Sequence, residues 1–231
     1  MIHQLIFAAP KPGMTEEEFQ RYWVDVHAVQ YASKIPQIKK YMIDTRIPFG
    51  AETEEPKWSG VAEIWLANEE EQLASLQTPE FLEGARLDEP RWAAFWRTVV
   101  LDTDAHELRE GPALTRDPNW VKLILLVKRK EGLPLEDFRS RSLGDHGELV
   151  LNVPGLRRYL QCHTRDGYYG IGEAVLDAAY QLWFDDVDAL RRALATPEFA
   201  RVEEDLQLFV EPRYIHRMVT RENWVIGPES R

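Results

Sequence analysis

The chain has 231 residues, a formal net charge of −11 and a hydrophobic content of 44%. This is the composition of a globular protein with a core, and its acidity argues against nucleic acid or an anionic membrane surface as a partner. A single cysteine, Cys162, excludes an internal disulfide framework and fits a reducing compartment. The N-terminal apolar run, 5–8, is too short for a signal peptide or a membrane span, so we expect a cytoplasmic protein.

The first half of the chain predicts six elements in the order strand, helix, strand, strand, helix, strand. Thr15 with Glu18 forms a capping box for the first helix, and Asn68 with Glu71 forms one for the second. The predicted strands are 2–8, 40–46, 60–66 and 97–101, the first helix is 16–33, and 48–57 is a mobile loop.

The second half predicts the same order. Pro134 starts its first helix, which runs to 151, and Asp185 with Asp186 caps its second. The predicted strands are 120–127, 158–164, 178–184 and 213–218. We therefore divide the chain into a unit at 1–108, a linker at 109–118 and a second unit at 119–231.

The two halves also repeat each other residue by residue. Phe19 and His27 recur 119 positions later as Phe138 and His146, and Tyr41 recurs 118 positions later as Tyr159. The run Thr-Pro-Glu-Phe at 78–81 returns at 196–199. One unit of roughly 110 residues therefore occurs twice.

These motifs resemble the EthD family. The resemblance rests on the Gly-Met-Thr-x-Glu-Glu-Phe opening at Gly13, the helix closing on His27, the Pro-x-Ile/Leu-Lys/Arg-Lys/Arg-Tyr motifs ending at Tyr41 and Tyr159, and the late Thr-Pro-Glu-Phe. It implies the dimeric α+β barrel superfamily of ferredoxin-like units.

The fold class that follows is α+β, with two tandem ferredoxin-like (βαββαβ) units in one chain. A four-stranded sheet with helices on one face must cover its other face. We therefore expect an intramolecular dimeric α+β barrel. A further homodimer is compatible with this arrangement but is not required.

The resemblance also implies a ligand site between the helices and the sheet. His27 and His146 would then lie on the inner face of the first helix of each unit. The copies differ there, because Tyr22 and Trp23 of the first unit become Arg141 and Ser142 in the second. We expect a larger and more polar pocket in the second unit.

Three side chains of the second unit share one strand face, namely Tyr159, Gln161 and His163. If that face looks toward the helix, Tyr159 and His163 converge with His146. Histidines with an ordinary pKa near 6.5 are the usual means of moving protons near neutral pH. We expect His146 to be the general base or acid, His163 its partner or oxyanion stabiliser, and Tyr159 a donor to the substrate oxygen.

A wider set of residues is expected to bind substrate. Asp145 follows the helix about 100° away from His146, so it is a weak candidate for orienting that ring. The loop 166–172 is either a flap whose tyrosines cover an aromatic ligand or a plain surface loop. The set comprises Arg141, Ser142, Asp145, Tyr168, Tyr169 and Trp183, with His27 and Tyr41 as first-unit counterparts. The alternative is that the histidines are structural and the polar cluster is a cleft wall.

The function expected is a cofactor-independent enzyme that acts on a small hydrophobic compound, aromatic or polyketide-like, by histidine-mediated proton transfer. Lyase, dehydratase, cyclase and isomerase reactions fit, and a cofactorless monooxygenase stays open. One alternative is haem binding by His27 or His146, as in related folds. The other is a non-catalytic protein that binds a small ligand. No residue spacing indicates a metal site.

Overall fold

The computed structural model describes residues 1–52, 54–116, 118–170 and 172–231. The predicted loop 48–57, the linker 109–118 and the flap 166–172 each contain one residue outside this set: Thr53, Asp117 and Ile171. The described strands are β1 Ile2–Ala8, β2 Ile38–Arg46, β3 Gly60–Leu66, β4 Val99–Arg109, β5 Val121–Val127, β6 Arg158–Thr164, β7 Ala178–Phe184 and β8 His216–Ile226.

The helices follow the predicted order. They are α1 Glu16–Tyr22, α2 Glu69–Ser75, α3 Arg86–Asp88, α4 Leu135–Arg141, α5 Gly147–Leu151, α6 Val187–Leu194 and α7 Pro197–Phe209. The Thr15–Glu18 capping box is present, and the side chains of Asn68 and Asp186 cap α2 and α6. None of the helices in the described residues is long and apolar enough to cross a membrane.

The strands are hydrogen-bonded in the closed order β1-β3-β2-β8-β5-β7-β6-β4. The two central strand pairs, β1–β3 and β5–β7, use the same register, with Ile2 opposite Leu66 in the first unit and Val121 opposite Phe184 in the second. This topology confirms the predicted α+β fold class with tandem ferredoxin-like units in a barrel.

Two strands are longer than the sequence predicted. β4 continues to Arg109, past the predicted end at 101, and β8 covers 216–226 instead of 213–218. The extra residues pair with neighbours, Thr103 to Arg109 with β6 and Thr220 to Ile226 with β2. Polar side chains interrupt the apolar pattern there, so periodicity alone ended both strands early.

Two compact units can be distinguished. Unit 1 consists mainly of 1–102 and 220–231, and unit 2 mainly of 103–114 and 119–219. Each therefore contains the end of a strand that begins in the other half of the sequence. The functional residues described below lie within one unit or the other.

Candidate active site

The centre of unit 2 is a buried histidine–aspartate pair. His146 is fully buried, and its Nδ1 lies 2.9 Å from Oδ2 of Asp205. Because a carboxylate only accepts, the Nδ1–H of His146 donates, and Nε2 carries the lone pair. That Nε2 is buried, and no group of the described residues hydrogen-bonds to it. An unpartnered basic nitrogen in the interior is available to take a proton.

Arg141 holds the other oxygen of the same carboxylate. Its Nη2 donates to Asp205 Oδ1, and its guanidinium lies 5.5 Å from the centre of the Phe209 ring. Asp205 thus has one partner on each oxygen, which fixes its plane relative to His146. Arg141 was predicted to bind substrate, and in this structure its contact is with Asp205.

Unit 1 contains the same pair. His27 Nδ1 lies 2.9 Å from Asp88 Oδ2, and the hydroxyl of Tyr22 donates to Asp88 Oδ1 over 2.8 Å. Tyr22 occupies the position that Arg141 has in unit 2. The pair is therefore a feature of the repeated unit, and the residue that holds its carboxylate differs between copies.

Sequence reasoning missed both aspartates. Asp88 and Asp205 are 117 positions apart, against 119 for the histidines, because the second copy is two residues shorter over this stretch. Aligning the repeat through α3 and α7 would have paired them. Nothing in the sequence places either aspartate beside a histidine about sixty residues away.

A widened helix carries each histidine. The helix begun by α1 continues as a π-helix over Trp23–Tyr31, and that begun by α4 continues as one over Ser142–His146. Gly144 has a non-helical ψ of −106° in the second. Short π segments in longer helices are frequent at functional sites.

Ser142 is the junction of a buried hydrogen-bond network in unit 2. Its Oγ lies 2.7 Å from Gln161 Oε1 and 2.6 Å from the hydroxyl of Tyr180. Gln161 Nε2 donates to the hydroxyl of Tyr159 over 2.6 Å, and Gln161 Oε1 lies 2.9 Å from His163 Nε2. The face of β6 that holds these residues therefore looks toward the helix.

The network links His163 and Tyr159 through Gln161. Since Gln161 Oε1 is an acceptor, His163 donates from Nε2, which leaves its buried Nδ1 without a partner. His146 approaches this network through Tyr180, whose ring centre lies 5.6 Å from its own. Tyr180 was not among the predicted site residues.

Burial controls the protonation of these histidines. Loss of hydration lowers the pKa of His146, Asp205 opposes the shift, and Arg141 adds to it. Burial also lowers the pKa of His163, with His106 and Arg139 contributing, to about 3. Both rings are neutral near pH 7, as a general base must be before it acts.

Ser142 is much smaller than Trp23, its counterpart in unit 1, and a residue of the sheet compensates for the lost side-chain volume. In unit 1 Trp23 packs on Trp92 at 5.0 Å, and a Cβ on Gly60 would lie 3.1 Å from its ring. In unit 2 the residue matching Gly60 is Ala178, and the hydroxyl of Tyr180 reaches Ser142. Tyr180 therefore fills space that a smaller helix residue would otherwise leave. The relative size of the two pockets stays a prediction.

Four other predicted residues lie away from His146 or have other contacts. Asp145 is exposed, and Asp205 rather than Asp145 orients His146. Tyr169 donates to the buried Asp177 over 2.6 Å. Trp183 has Lys122 over its ring at 4.7 Å and occupies the opposite face of β7 from Tyr180. Tyr168 is half-buried in the turn Asp166–Gly170.

Aromatic rings pack closely around both histidines. Haem ligation by either imidazole would require these rings to move away from it. The ring of His146 is fully buried against Phe209, with ring centres 5.2 Å apart, and His27 lies against Trp92 at 4.7 Å. Within the described ranges no three His, Cys, Asp or Glu residues are grouped to hold a metal ion.

The EthD domain profile matches residues 11–95 and 130–213, which together make up well over half of the chain. A protein described as anthrone oxidase-like superposes with a TM-score of 0.65 at 10% identity, over 98% of this chain and 93% of the other. A candidate monooxygenase from Fusobacterium nucleatum subsp. nucleatum ATCC 25586 superposes with a TM-score of 0.61 at 9% identity, over 99% and 96%. At such identities these likenesses show the fold alone.

One curated relative has a different description. The ribosomal RNA small subunit methyltransferase J of Yersinia enterocolitica serotype O:8 / biotype 1B (strain NCTC 13174 / 8081) is 26% identical over 166 residues. The match covers 68% of this chain and 63% of that protein. The chain thus spans less than two thirds of this relative, at an identity that does not assign a family.

Proposed function

This chain belongs to the EthD family, and on that premise we propose that it is a small-molecule enzyme whose general base is His146 of unit 2. The observation that carries the proposal is the unpartnered Nε2 of a buried imidazole whose other nitrogen donates to Asp205. The proposed substrate is a small hydrophobic compound, aromatic or polyketide-like, with an acidic C–H or phenolic O–H next to a carbonyl. The reaction proposed needs no cofactor.

The first step is proton removal. The Nε2 lone pair of His146 takes the substrate proton, and the electron pair of that bond moves onto the carbonyl oxygen as an enolate. Asp205 stabilises the imidazolium that forms. Because the imidazole is fully buried, a substrate reaches Nε2 in this proposal only when side chains packed on the ring, such as Phe209 and Tyr180, move aside. The charge on Asp205 then acts in a low-dielectric surrounding.

We propose that hydroxyls of the network hold the substrate oxygen. Tyr180 lies beside His146, and Ser142 connects Tyr180 to Gln161. Burial raises the pKa of both Tyr180 and Tyr159, so each keeps its proton near neutral pH. Because the Ser142 hydroxyl donates to Gln161, the Tyr180 hydroxyl donates to Ser142 in this structure and must turn from it to hold the substrate oxygen. In this proposal His163 and Tyr159 act through Gln161.

Two outcomes of the enolate are chemically open. Return of the proton at another carbon, or loss of a leaving group, makes the enzyme an isomerase, lyase, dehydratase or cyclase. Reaction of the carbanion with dioxygen would make it a cofactorless monooxygenase. The names of the anthrone oxidase-like protein and of the candidate monooxygenase favour the second outcome.

Solvent hydrogen exchange tests the base without knowledge of the later steps. Anthrone and related compounds with an acidic C–H are incubated in D₂O under argon, and deuterium uptake is followed. We expect acceleration by the wild-type protein and a loss of roughly 10²- to 10⁴-fold in His146→Ala. Oxygen consumption in air then separates the monooxygenase from the other reactions.

The matched control is His27→Ala, which removes the same pair from unit 1. It should keep its exchange activity and mainly lose stability, and both variants require a measured folding midpoint. If folded His27→Ala is inactive while His146→Ala works, the active unit has been misassigned. If no acidic C–H compound exchanges with any variant, the base assignment is wrong.

A further inference from the structure

Unit 1 exposes a set of large apolar side chains on its helices. Leu73 is 67% exposed and Leu87 is 64% exposed, and Val29, Leu76 and Leu82 are exposed as well. We call these five residues the leucine face. Single exposed leucines are ordinary, but several on neighbouring helices indicate a surface that is covered by a partner.

The segments that carry Val29, Leu82 and Leu87 adjoin one another. The π-helical stretch Trp23–Tyr31 packs against the helical segment Glu80–Ala85. At this contact a Cβ on Gly84 would lie 3.6 Å from the ring of Tyr31. Helix α2, which contains Leu73 and is followed by Leu76, ends shortly before Glu80 in the sequence.

The repeat supplies an internal control for this surface. Unit 2 has the same fold, so any apolar residue that the fold requires should recur there. Four of the five exposed positions do not recur: unit 2 has Glu148 for Val29, Arg191 for Leu73, Ala200 for Leu82 and Glu204 for Leu87, while Leu76 recurs as the half-buried Leu194. At these four positions the apolar character is therefore specific to unit 1 and is not needed for folding.

The charges within the leucine face are self-complementary. Between Leu82 and Leu87 lie the exposed side chains of Glu83 and Arg86, and the charge of Arg86 also opposes the rise in the pKa of Glu89. Two such segments laid antiparallel about a two-fold axis place Glu83 opposite Arg86 of the second copy. The same operation places Leu82 opposite Leu87. A second copy of the chain thus matches both the apolar and the charged positions.

We propose that the leucine face is the surface through which two copies of this chain form a two-fold symmetric dimer. Its apolar side chains form the centre of the interface, and the Glu83–Arg86 pairs fix the antiparallel register. The dimer is independent of the proposed chemistry, since His146 and Asp205 belong to unit 2.

Sedimentation velocity over a concentration series tests the dimer. The wild-type chain should sediment as a dimer. The double variant Val29→Glu/Leu87→Glu introduces the residues that unit 2 carries at these positions, so the fold accommodates them. It should raise the dimer dissociation constant about a hundredfold or more, because two unpaired charges enter the apolar centre.

A matched control lies in unit 2. Leu208 is 63% exposed, and the residue at its place in unit 1 is Arg91. Leu208→Arg should leave the dissociation constant unchanged. Thermal midpoints of both variants show whether each is folded.

A charge exchange tests the register. Glu83→Arg and Arg86→Glu should each weaken the dimer about tenfold, since each brings like charges together. The double exchange Glu83→Arg/Arg86→Glu should restore it. A wild-type chain that is monomeric at about 100 µM overturns the proposal. A dimer that Val29→Glu/Leu87→Glu leaves intact overturns it equally.

Discussion

At the scale of single residues, one carboxylate sets the orientation of the His146 imidazole. Asp205 accepts the Nδ1–H of His146 and so selects the tautomer with a free Nε2. An amide at this position can present its NH₂ group and favour the wrong tautomer. We expect Asp205→Asn to lower the rate constant for proton exchange by roughly 10²- to 10⁴-fold, measured as deuterium uptake.

Asp145 provides the comparison for that variant. It is adjacent to His146 in sequence but exposed, so Asp145→Asn makes the same chemical change without touching the pair. It should keep essentially the wild-type rate. Equal losses in both variants would show that general electrostatics, rather than the orientation of His146, controls the step.

At the scale of secondary-structure elements, the second helical segments of the two units differ in length by one residue. Seven positions separate Phe81 from Asp88 in unit 1, whereas six separate Phe199 from Asp205 in unit 2. Unit 1 absorbs the extra residue in the π-helix Glu80–Ala85, while α7 of unit 2 is a regular helix. The π-helix thus keeps Asp88 pointed at His27 in spite of the added residue.

Deleting Gly84 should therefore be tolerated. The shortened segment would match α7, and the loss of a helical glycine offsets part of any cost. We expect the thermal midpoint to change by no more than a few degrees, a shift that corresponds to about 1 kcal/mol. The His27–Asp88 pair should persist in a structure of the variant.

Deletion of Arg201, in the corresponding part of α7, is the contrasting case. A regular helix cannot absorb the loss, so Asp205 would turn by about 100° away from His146. This variant should lose both stability and proton exchange. A Gly84 deletion as damaging as the Arg201 deletion would contradict the view that the π-helix accommodates one extra residue.

Acid sensitivity is expected at the scale of the whole molecule. Burial lowers the pKa of His27, His146 and His163 in the folded state, the last to about 3. Below about pH 6.5 the unfolded chain therefore binds more protons at these positions than the folded chain. Each histidine then lowers the free energy of unfolding by at most about 1.4 kcal/mol per pH unit, the limit for a difference of one bound proton.

One carboxyl group acts in the opposite direction. Burial raises the pKa of Glu89 to about 7, so this group favours the folded state as the pH falls from 7. Three histidines outweigh one glutamate, and the net expectation is loss of stability between pH 6.5 and 5.5. Urea unfolding at these pH values measures it. His163→Gln should make the pH dependence shallower, and a stability that rises toward pH 5.5 would refute the expectation.

The sequence alone determined the repeat, the order of the elements and the starts of their helices. These features depend on local signals, namely capping side chains such as Thr15 and Asp186 and the regular spacing of apolar residues within each element. The position of His146 on the inner face of its helix and the shared strand face of Tyr159, Gln161 and His163 were also predicted. Side-chain alternation along one strand suffices for the second of these.

Only the tertiary structure decided which groups meet His146. Asp205 is 59 residues and Tyr180 is 34 residues further along the chain, and each reaches the site through the rotation and packing of its own element. A π-helix changes the direction in which every later side chain of the helix points. A sequence search for a period of 3.6 residues does not detect it. The extents of β4 and β8 were likewise set by partner strands rather than by their own apolar pattern, because backbone pairing stabilises polar residues in a strand as readily as apolar ones.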